Sequence, residues 1–191
     1  MAKNILVVSG SPKKNGNTSL LIKWLAEGAE SLGSKVDIIR AADLKYKIVG
    51  CTSCRSCQKK EEYRCSIKDE VSDCVARFPQ ADVIVMSSPL YFYGASSQLK
   101  MVMDRMFSLY KWDNVANTMK TPLKGKTFAF MGSGYEDVGF DVFEKPFQLT
   151  AEYTGMAYAS LLIKNAGVSG DIIKQAGVQK KAFEFGKNLS S

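Results

Sequence analysis

The chain has 191 residues, which suits a single domain with a substantial hydrophobic core. Its net charge is +7, but acidic residues lie between the basic ones, and neither a basic tract nor an aromatic RNA-binding signature is present. We therefore expect no nucleic-acid partner. Histidine is absent, which excludes Ser-His-Asp catalysis, Cys-His catalysis and every metal site that needs histidine.

The first ten residues, MAKNILVVSG, contain only a short apolar run. This run is too short for the apolar region of a signal peptide or for a membrane span, so we expect a cytoplasmic protein with no membrane partner. The chain has five cysteines, an odd number. In a reducing compartment they favour metal binding or redox chemistry over a disulfide framework.

Apolar runs alternate with helical patterns along the chain. The runs predict strands at 4–8, 36–39, 83–86, 127–131 and 158–163. They are too evenly apolar for half-exposed strands, and indicate a parallel sheet covered on both faces. The helical patterns predict helices at 18–32, 69–78, 98–110, 143–154 and 175–188. We predict a doubly wound α/β fold in one domain, 1–191, with a long insertion loop at 41–66 after the second strand.

The first strand runs into SGSPKKNGNTSLL, at the edge of a parallel sheet where ligands bind. Ser9 and Ser11 provide hydroxyl groups, and two glycines allow tight turns. Asn17 and Thr18 stand where a helix begins, and its free amides favour an anion. The spacing matches neither a nucleotide triphosphatase loop nor a dinucleotide fingerprint. Local sequence equally allows an ordinary turn in which Asn17 or Thr18 caps the helix.

Two more loops follow strands at the same edge of the sheet. SSPLYFYGASSQLKMVMDR comes after the third strand, and MGSGYEDVGF after the fourth. The segment 89–94, PLYFYG, offers a rigid backbone and planar side chains against which a flat ring could lie. The alternative is an aromatic cluster that caps the core.

These motifs resemble a known family. GSPKKNGNTSLL, SSPLYFYGASSQLKMVMDR, MGSG, YTGM and GVSGDI are similar, in that order, to the flavodoxin-like NADPH-dependent FMN reductases, and most to their iron–sulfur flavoprotein branch. The resemblance implies one FMN and a flavodoxin-like five-stranded sheet of order 2-1-3-4-5. It places the FMN phosphate at Ser9, Ser11, Lys13, Asn17 and Thr18. It places the isoalloxazine ring against Pro89, Leu90, Tyr91, Phe92 and Gly94, with the far side closed by Ser133, Gly134 and Tyr135.

One position departs from the family pattern. Lys13 stands where the family often has arginine, which keeps the charge but loses the bidentate fork. The phosphate affinity is therefore expected to be somewhat lower.

The implied activity is that of an FMN-dependent oxidoreductase. Electrons would pass from NAD(P)H or ferredoxin through FMN, and through a [4Fe–4S] cluster, to a small acceptor such as a flavin, a quinone or an oxygen species. No catalytic side chain is required, because flavin carries the chemistry. The alternatives are a cluster-free NAD(P)H:FMN or quinone reductase and a passive flavodoxin-like carrier. The positive charge favours the enzyme, because carriers that dock on basic partners are usually acidic.

Aromatic residues also bear on assembly. YFYG and LYKW provide more aromatic surface than a chain of this size readily hides, and the resemblance points to a homodimer or homotetramer. The alternative is that Tyr110 and Trp112 pack internally.

The segment GCTSCRSCQKKEEYRC holds four of the five cysteines. Cys51, Cys54 and Cys57 follow C-x2-C-x2-C, which lets one turn aim three thiolates at a common centre, and Cys65 can fold back as a fourth ligand. This spacing fits a [4Fe–4S] cluster better than paired zinc-binding motifs, and the iron–sulfur flavoproteins have such a motif. Zinc, or free thiols without metal, remain alternatives. Cys74 is predicted to be a buried apolar residue of a helix rather than a ligand.

Overall fold

The computed structural model describes residues 2–113 and 115–191. In this part of the chain the strands are β1 Asn4–Ser9, β2 Lys35–Arg40, β3 Val83–Pro89, β4 Lys111–Asp113, β5 Thr118–Lys120, β6 Thr127–Ser133 and β7 Ala157–Ile163. The helices are α1 Asn17–Glu30, α2 Glu70–Val75, α3 Ser97–Arg105, α4 Phe140–Thr154 and α5 Val178–Ser190. None of the described helices is long and apolar enough to cross a membrane.

Five strands form one parallel sheet in the order β2-β1-β3-β6-β7. This is the predicted order 2-1-3-4-5 once the short β4 and β5 are set aside, so the predicted fold class is confirmed. The central strands β1, β3 and β6 are buried almost throughout. The edge strands β2 and β7 remain partly exposed, which differs from the expectation that every strand is covered on both faces.

Helices cover the two faces of the sheet. Successive strand residues point to opposite faces, so Leu6 and Val8 pack with α2, α3 and α4 in one core cluster. Ile5 and Val7 pack with α1 and α5 in the other. On that side α1 and α5 meet backbone to backbone, because a Cβ atom at Gly28 would lie 1.9 Å from the carbonyl oxygen of Phe183. A side chain at Gly28 would therefore force these helices apart.

Two helices end well before the residue that the sequence predicts, and two short strands are present that were not predicted. The second helix ends at Val75, well before residue 78, and a 3-10 turn that contains a proline follows at Phe78–Gln80. The third helix ends at Arg105 and continues as the 3-10 turn Met106–Leu109. The antiparallel pair β4 and β5 was not predicted, because three-residue strands show no periodicity.

Candidate functional site

The ends of three neighbouring strands bring the predicted ligand-binding loops together. β1, β3 and β6 lie side by side, and the register pairs Ser9 with Ser87 and Pro89 with Ser133. The loop after β1 is tied to β3, because the Gly10 amide donates to the Ser87 carbonyl at 2.7 Å. The three loops therefore share one edge of the sheet, as the sequence predicted.

The loop after β1 leaves hydrogen-bonding groups without partners. The residue that precedes α1 is Gly16, and no side chain in the described part of the chain caps this helix, so its first amides are free to bind a ligand. The hydroxyl groups of Ser9 and Ser87 are buried, and neither has a hydrogen-bond partner among the described residues. The Ser11 hydroxyl, in contrast, accepts from the Lys13 amide at 3.2 Å. Unpaired buried donors at a helix N-terminus suit an anion.

An arginine that the sequence analysis did not single out supports the same loop. The Arg40 guanidinium donates to the Lys13 carbonyl at 3.3 Å and pairs with Asp43 at 2.8 Å. The hydrogen bond from Arg40 lowers the pKa of the Asp43 carboxyl. Arg40 ends β2 and lies beside Ser9 in the sheet, so the strand order, together with its place at a strand end, could have identified it.

The Asn17 side chain is bound to the loop after β7. Its Nδ2 donates to the Ala166 carbonyl at 2.9 Å and to the Val168 carbonyl at 3.1 Å, and its Oδ1 accepts from the Gly170 amide at 2.7 Å. The side chain therefore connects the start of α1 to the loop after β7, which leaves its backbone amide for a ligand. Thr18 follows it, with its side chain buried.

The aromatic segment after β3 forms a tight turn. Tyr91 and Gly94 exchange two backbone hydrogen bonds, both of 3.0 Å. Phe92 and Tyr93 lie between them with φ angles of 45° and 63°, in the left-handed region that is unfavourable for bulky residues. The Tyr93 ring packs against Gly139, where a Cβ atom would lie 2.2 Å from the Cδ1 atom of the ring. The Phe92 side chain is fully exposed.

The loop after β6 packs against the segment after β3, because the Leu90 amide donates to the Ser133 carbonyl at 2.8 Å. Ser133 is buried, and Tyr135 is largely exposed. Gly134 lies so close to its neighbours that a Cβ atom there would be 2.8 Å from the Phe140 ring and 3.0 Å from Leu90. The predicted ring-binding residues, which belong to the loops of these neighbouring strands, are Pro89, Leu90, Tyr91, Phe92, Gly94, Ser133, Gly134 and Tyr135.

The cysteine-rich loop forms a second candidate site. Gln58 donates to the Tyr110 carbonyl at 2.8 Å, and Lys111 donates to the Cys57 carbonyl, so the loop is fixed to the segment after α3. Within the described residues, no three cysteine or carboxylate side chains lie close enough together to hold a metal ion. Even so, one small pocket is lined by all four predicted ligands, Cys51, Cys54, Cys57 and Cys65. Their thiols are the donors that an iron–sulfur cluster needs, so the residues present fit such a group in kind, and they share one pocket.

A buried ion pair lies under this pocket. Arg105 and Asp69 contact each other at 2.9 Å, and Arg105 also donates to the Cys65 sulfur at 3.0 Å. Burial alone would raise the pKa of the Asp69 carboxyl, but hydrogen bonds from the Ser72 and Lys47 amides and the charge of Arg105 lower it overall. Neither partner stands out in the sequence, because they are 36 residues apart and no local pattern links them.

The thiols differ in their surroundings. Hydrogen bonds from Ser56 and Thr52 lower the pKa of the exposed Cys54 thiol, whereas burial raises the pKa of Cys57. Cys74 is 3% exposed within α2, as predicted, and burial raises its pKa to about 12. A thiol in such apolar surroundings is inert.

Helix α3 connects the two candidate sites. At its N-terminus the Ser96 hydroxyl donates to the Gly10 carbonyl at 2.6 Å, and at its C-terminus Arg105 contacts Cys65. A helix rises 1.5 Å per residue, so the nine residue steps from Ser96 to Arg105 place these two residues about 13.5 Å apart along its axis. The cysteine pocket therefore lies beside α3 and away from the β1 loop.

Most of the chain matches a known protein family. The sequence model of the NADPH-dependent FMN reductase family matches residues 3–160. An iron–sulfur flavoprotein of Methanocaldococcus jannaschii is 39% identical over 102 residues, which are 53% of this chain and 50% of that protein. One from Archaeoglobus fulgidus is 35% identical over 101 residues, 53% of this chain and 47% of that protein. The chain spans about half the length of the curated relatives it matches.

Solved structures share the fold at low sequence identity. An NAD(P)H:quinone oxidoreductase from Methanothermobacter marburgensis has a TM-score of 0.76 at 13% identity, over 99% of this chain and 100% of that one. An FMN-dependent NADH-azoreductase from Bacillus anthracis, solved in complex with FMN, has a TM-score of 0.70 at 17% identity, over 98% and 100%. An archaeal flavodoxin has a TM-score of 0.59 at 16% identity, over 98% and 96%. These likenesses confirm the predicted flavodoxin-like fold.

Proposed function

Because the chain belongs to the NADPH-dependent FMN reductase family, as predicted, we propose that it is an FMN-dependent oxidoreductase. Its electron donor would be NAD(P)H or ferredoxin, and its acceptor a small molecule such as a flavin, a quinone or an oxygen species. The names of the curated relatives, which are iron–sulfur flavoproteins, agree with the predicted branch of the family.

The observation that carries this proposal is the uncapped N-terminus of α1 beside the buried, unpaired hydroxyl of Ser9. A phosphate group bound there would accept from the first amides of α1, and the helix dipole would stabilise its charge. The ammonium group of Lys13 and the guanidinium of Arg40, which contacts the same loop, add positive charge. The proposed phosphate residues are Ser9, Ser11, Lys13, Asn17 and Thr18.

The other two loops would hold the flavin ring. The turn Tyr91–Gly94 offers a planar wall, and the backbone amides of Phe92 and Tyr93 have no acceptor among the described residues. These amides would orient the polar edge of the ring and stabilise negative charge on it. A bound flavin supplies the hydride and single-electron chemistry, so the side chains need only bind and orient it.

For the second site we propose a [4Fe–4S] cluster bound by Cys51, Cys54, Cys57 and Cys65. Support comes from the pocket that all four line and from the naming of the curated relatives. Because no three of the described thiols yet lie close enough to hold a metal, binding requires the loop to draw them together. The cluster would supply one-electron exchange. The same separation of the thiols favours a cluster-free reductase as the second candidate function.

We also propose that the protein is a homodimer or homotetramer. Phe92 and Tyr93 at the flavin edge are exposed, and Trp112 on β4 is 52% exposed. Tyr110 differs from them, since it is partly buried and packs edge-on against Tyr153 at 5.7 Å. A neighbouring chain that covers these aromatic residues would also enclose the flavin. A cytoplasmic location remains a prediction.

Anaerobic turnover tests the proposed activity. Flavin-loaded protein is mixed in turn with NADPH, NADH and reduced ferredoxin, and then with a quinone or free flavin in excess. We expect one donor to bleach the flavin band and the acceptor to restore it over many cycles. A flavin that is reduced by dithionite but by none of these donors would identify a carrier and contradict the proposed enzyme.

A further inference from the structure

Arg105 is buried in a way that distinguishes it from the other paired basic residues. Its side chain is 0% exposed and that of its partner Asp69 is 2% exposed, whereas every other ion pair among the described residues includes a basic side chain at least 23% exposed. Removing two charges from water is costly and often offsets their attraction, so net stability is a weak reason for such a pair. The partners of Arg105 point to a more specific role.

Among the described residues, the Arg105 guanidinium donates only to groups at the two ends of the cysteine loop. At the first end are the carbonyl groups of Gly50 and, at 3.3 Å, Ile48. At the second end are the Cys65 sulfur at 3.0 Å and the Asp69 carboxylate at 2.9 Å. One planar guanidinium thus joins residues that flank the C-x2-C-x2-C motif to the residue that completes the ligand set.

Asp69 strengthens this arrangement from the other side. Its carboxylate accepts from the Ser72 amide at 2.9 Å as the cap of α2, and from the Lys47 amide at 3.1 Å. The start of the loop, the start of α2 and the end of α3 therefore meet at one ion pair. Because both ends are fixed at this ion pair, the segment between them is held as a closed loop.

We propose that Arg105 is a positioning residue of the cysteine site, which closes both ends of the loop onto α3 before metal binds and holds Cys65 by its sulfur. Where a cluster binds, the same N–H group and positive charge stabilise added negative charge at Cys65, which raises the reduction potential of the cluster. This second part rests on the proposed cluster. The first part does not.

The test uses two variants of the whole chain and one control. Arg105→Lys keeps the charge but cannot form the fork that reaches all four acceptors. The double variant Arg105→Gln/Asp69→Asn removes both charges, so that neither is left buried alone. The control Arg77→Gln removes an arginine from an exposed ion pair with Asp37.

The first measurement is hydrogen exchange of amides 48–69 in metal-free protein. Loss of about 1.4 kcal/mol of hydrogen bonding is a factor of ten, so exchange in this segment should be about tenfold faster in both Arg105 variants and unchanged in the control. Unchanged exchange in the folded Arg105→Lys protein, whose β1 and β3 amides serve as the internal reference, would overturn the positioning role.

The second measurement is the cluster potential after anaerobic reconstitution. We expect a more negative potential in Arg105→Gln/Asp69→Asn and a potential near that of the parent in Arg105→Lys, a difference that a merely structural role would not produce. Equal potentials in all three proteins would overturn the electrostatic part. If the parent protein takes up no iron, the proposed cluster is wrong, and the exchange data still decide the role of Arg105.

Discussion

Gly10 lies where the proposed phosphate loop crosses the N-terminus of α3. A Cβ atom at this position would be 2.6 Å from the Leu99 Cβ, 2.8 Å from the Ser96 Oγ and 3.2 Å from the Ser87 carbonyl oxygen. Carbon atoms in contact are about 3.5–4.0 Å apart, so in Gly10→Ala the loop must move by about 1 Å. Overpacking of this kind costs about 1–3 kcal/mol. The move also strains the Ser96–Gly10 hydrogen bond, which contributes about 1 kcal/mol.

We therefore expect Gly10→Ala to lose about 2–4 kcal/mol of unfolding free energy in denaturant titrations of flavin-free protein, and to bind FMN at least about tenfold more weakly. Gly16→Ala is the matched control in the same loop. Its φ of −115° is open to alanine, and the nearest atom to a new Cβ is the Lys13 Cβ at 3.4 Å. It should lose less than about 1 kcal/mol. Equal losses in the two variants would refute the packing argument.

Three further outcomes are expected. Asn17→Ala removes three hydrogen bonds to the loop after β7, so it should lower the unfolding free energy by about 2 kcal/mol, and an unchanged value would contradict this connection. Cys54→Ala should abolish uptake of iron and acid-labile sulfide during anaerobic reconstitution, whereas Cys74→Ala should not; parent-like iron content in both would exclude the proposed ligand set. The raised pKa of Cys74, about 12, means that the fold favours its neutral thiol. That stability is full below the unfolded value of 9.0 and is lost as the pH rises toward 12. Alkylation of folded protein at pH 9 should therefore modify the exposed Cys51 and not Cys74, as peptide mass mapping would show.

The fold could be predicted because its strands carry their own signal. The central strands are buried on both faces, which requires continuous apolar runs such as NILVV and VIVM, and these runs are visible without a structure. Strand order came from the family resemblance, since periodicity does not say which strands pair. The β4–β5 pair left no trace in the sequence, because three residues such as Lys111–Asp113 are too few for a period to appear.

The candidate sites could be predicted where their residues are close in sequence. Loops at strand ends are rich in glycine, serine and aromatic residues, and the cysteine motif is compact, so these groups appeared directly. Contacts between distant segments did not. Arg40 reaches the β1 loop from the next strand, and the Arg105–Asp69 pair joins segments 36 residues apart. The bonds that the Asn17 side chain makes to the loop after β7 became visible only in the folded chain.

A calorimetric titration of flavin-free protein with FMN and with riboflavin tests the proposed FMN site most directly. FMN and riboflavin differ only in the phosphate group, whose proposed binding site is the N-terminus of α1. Two hydrogen bonds to a charged group contribute at least about 3 kcal/mol, so FMN should bind at one per chain and at least about a hundredfold more tightly than riboflavin. Failure to bind FMN, or equal affinities for the two flavins, would contradict the proposed phosphate site.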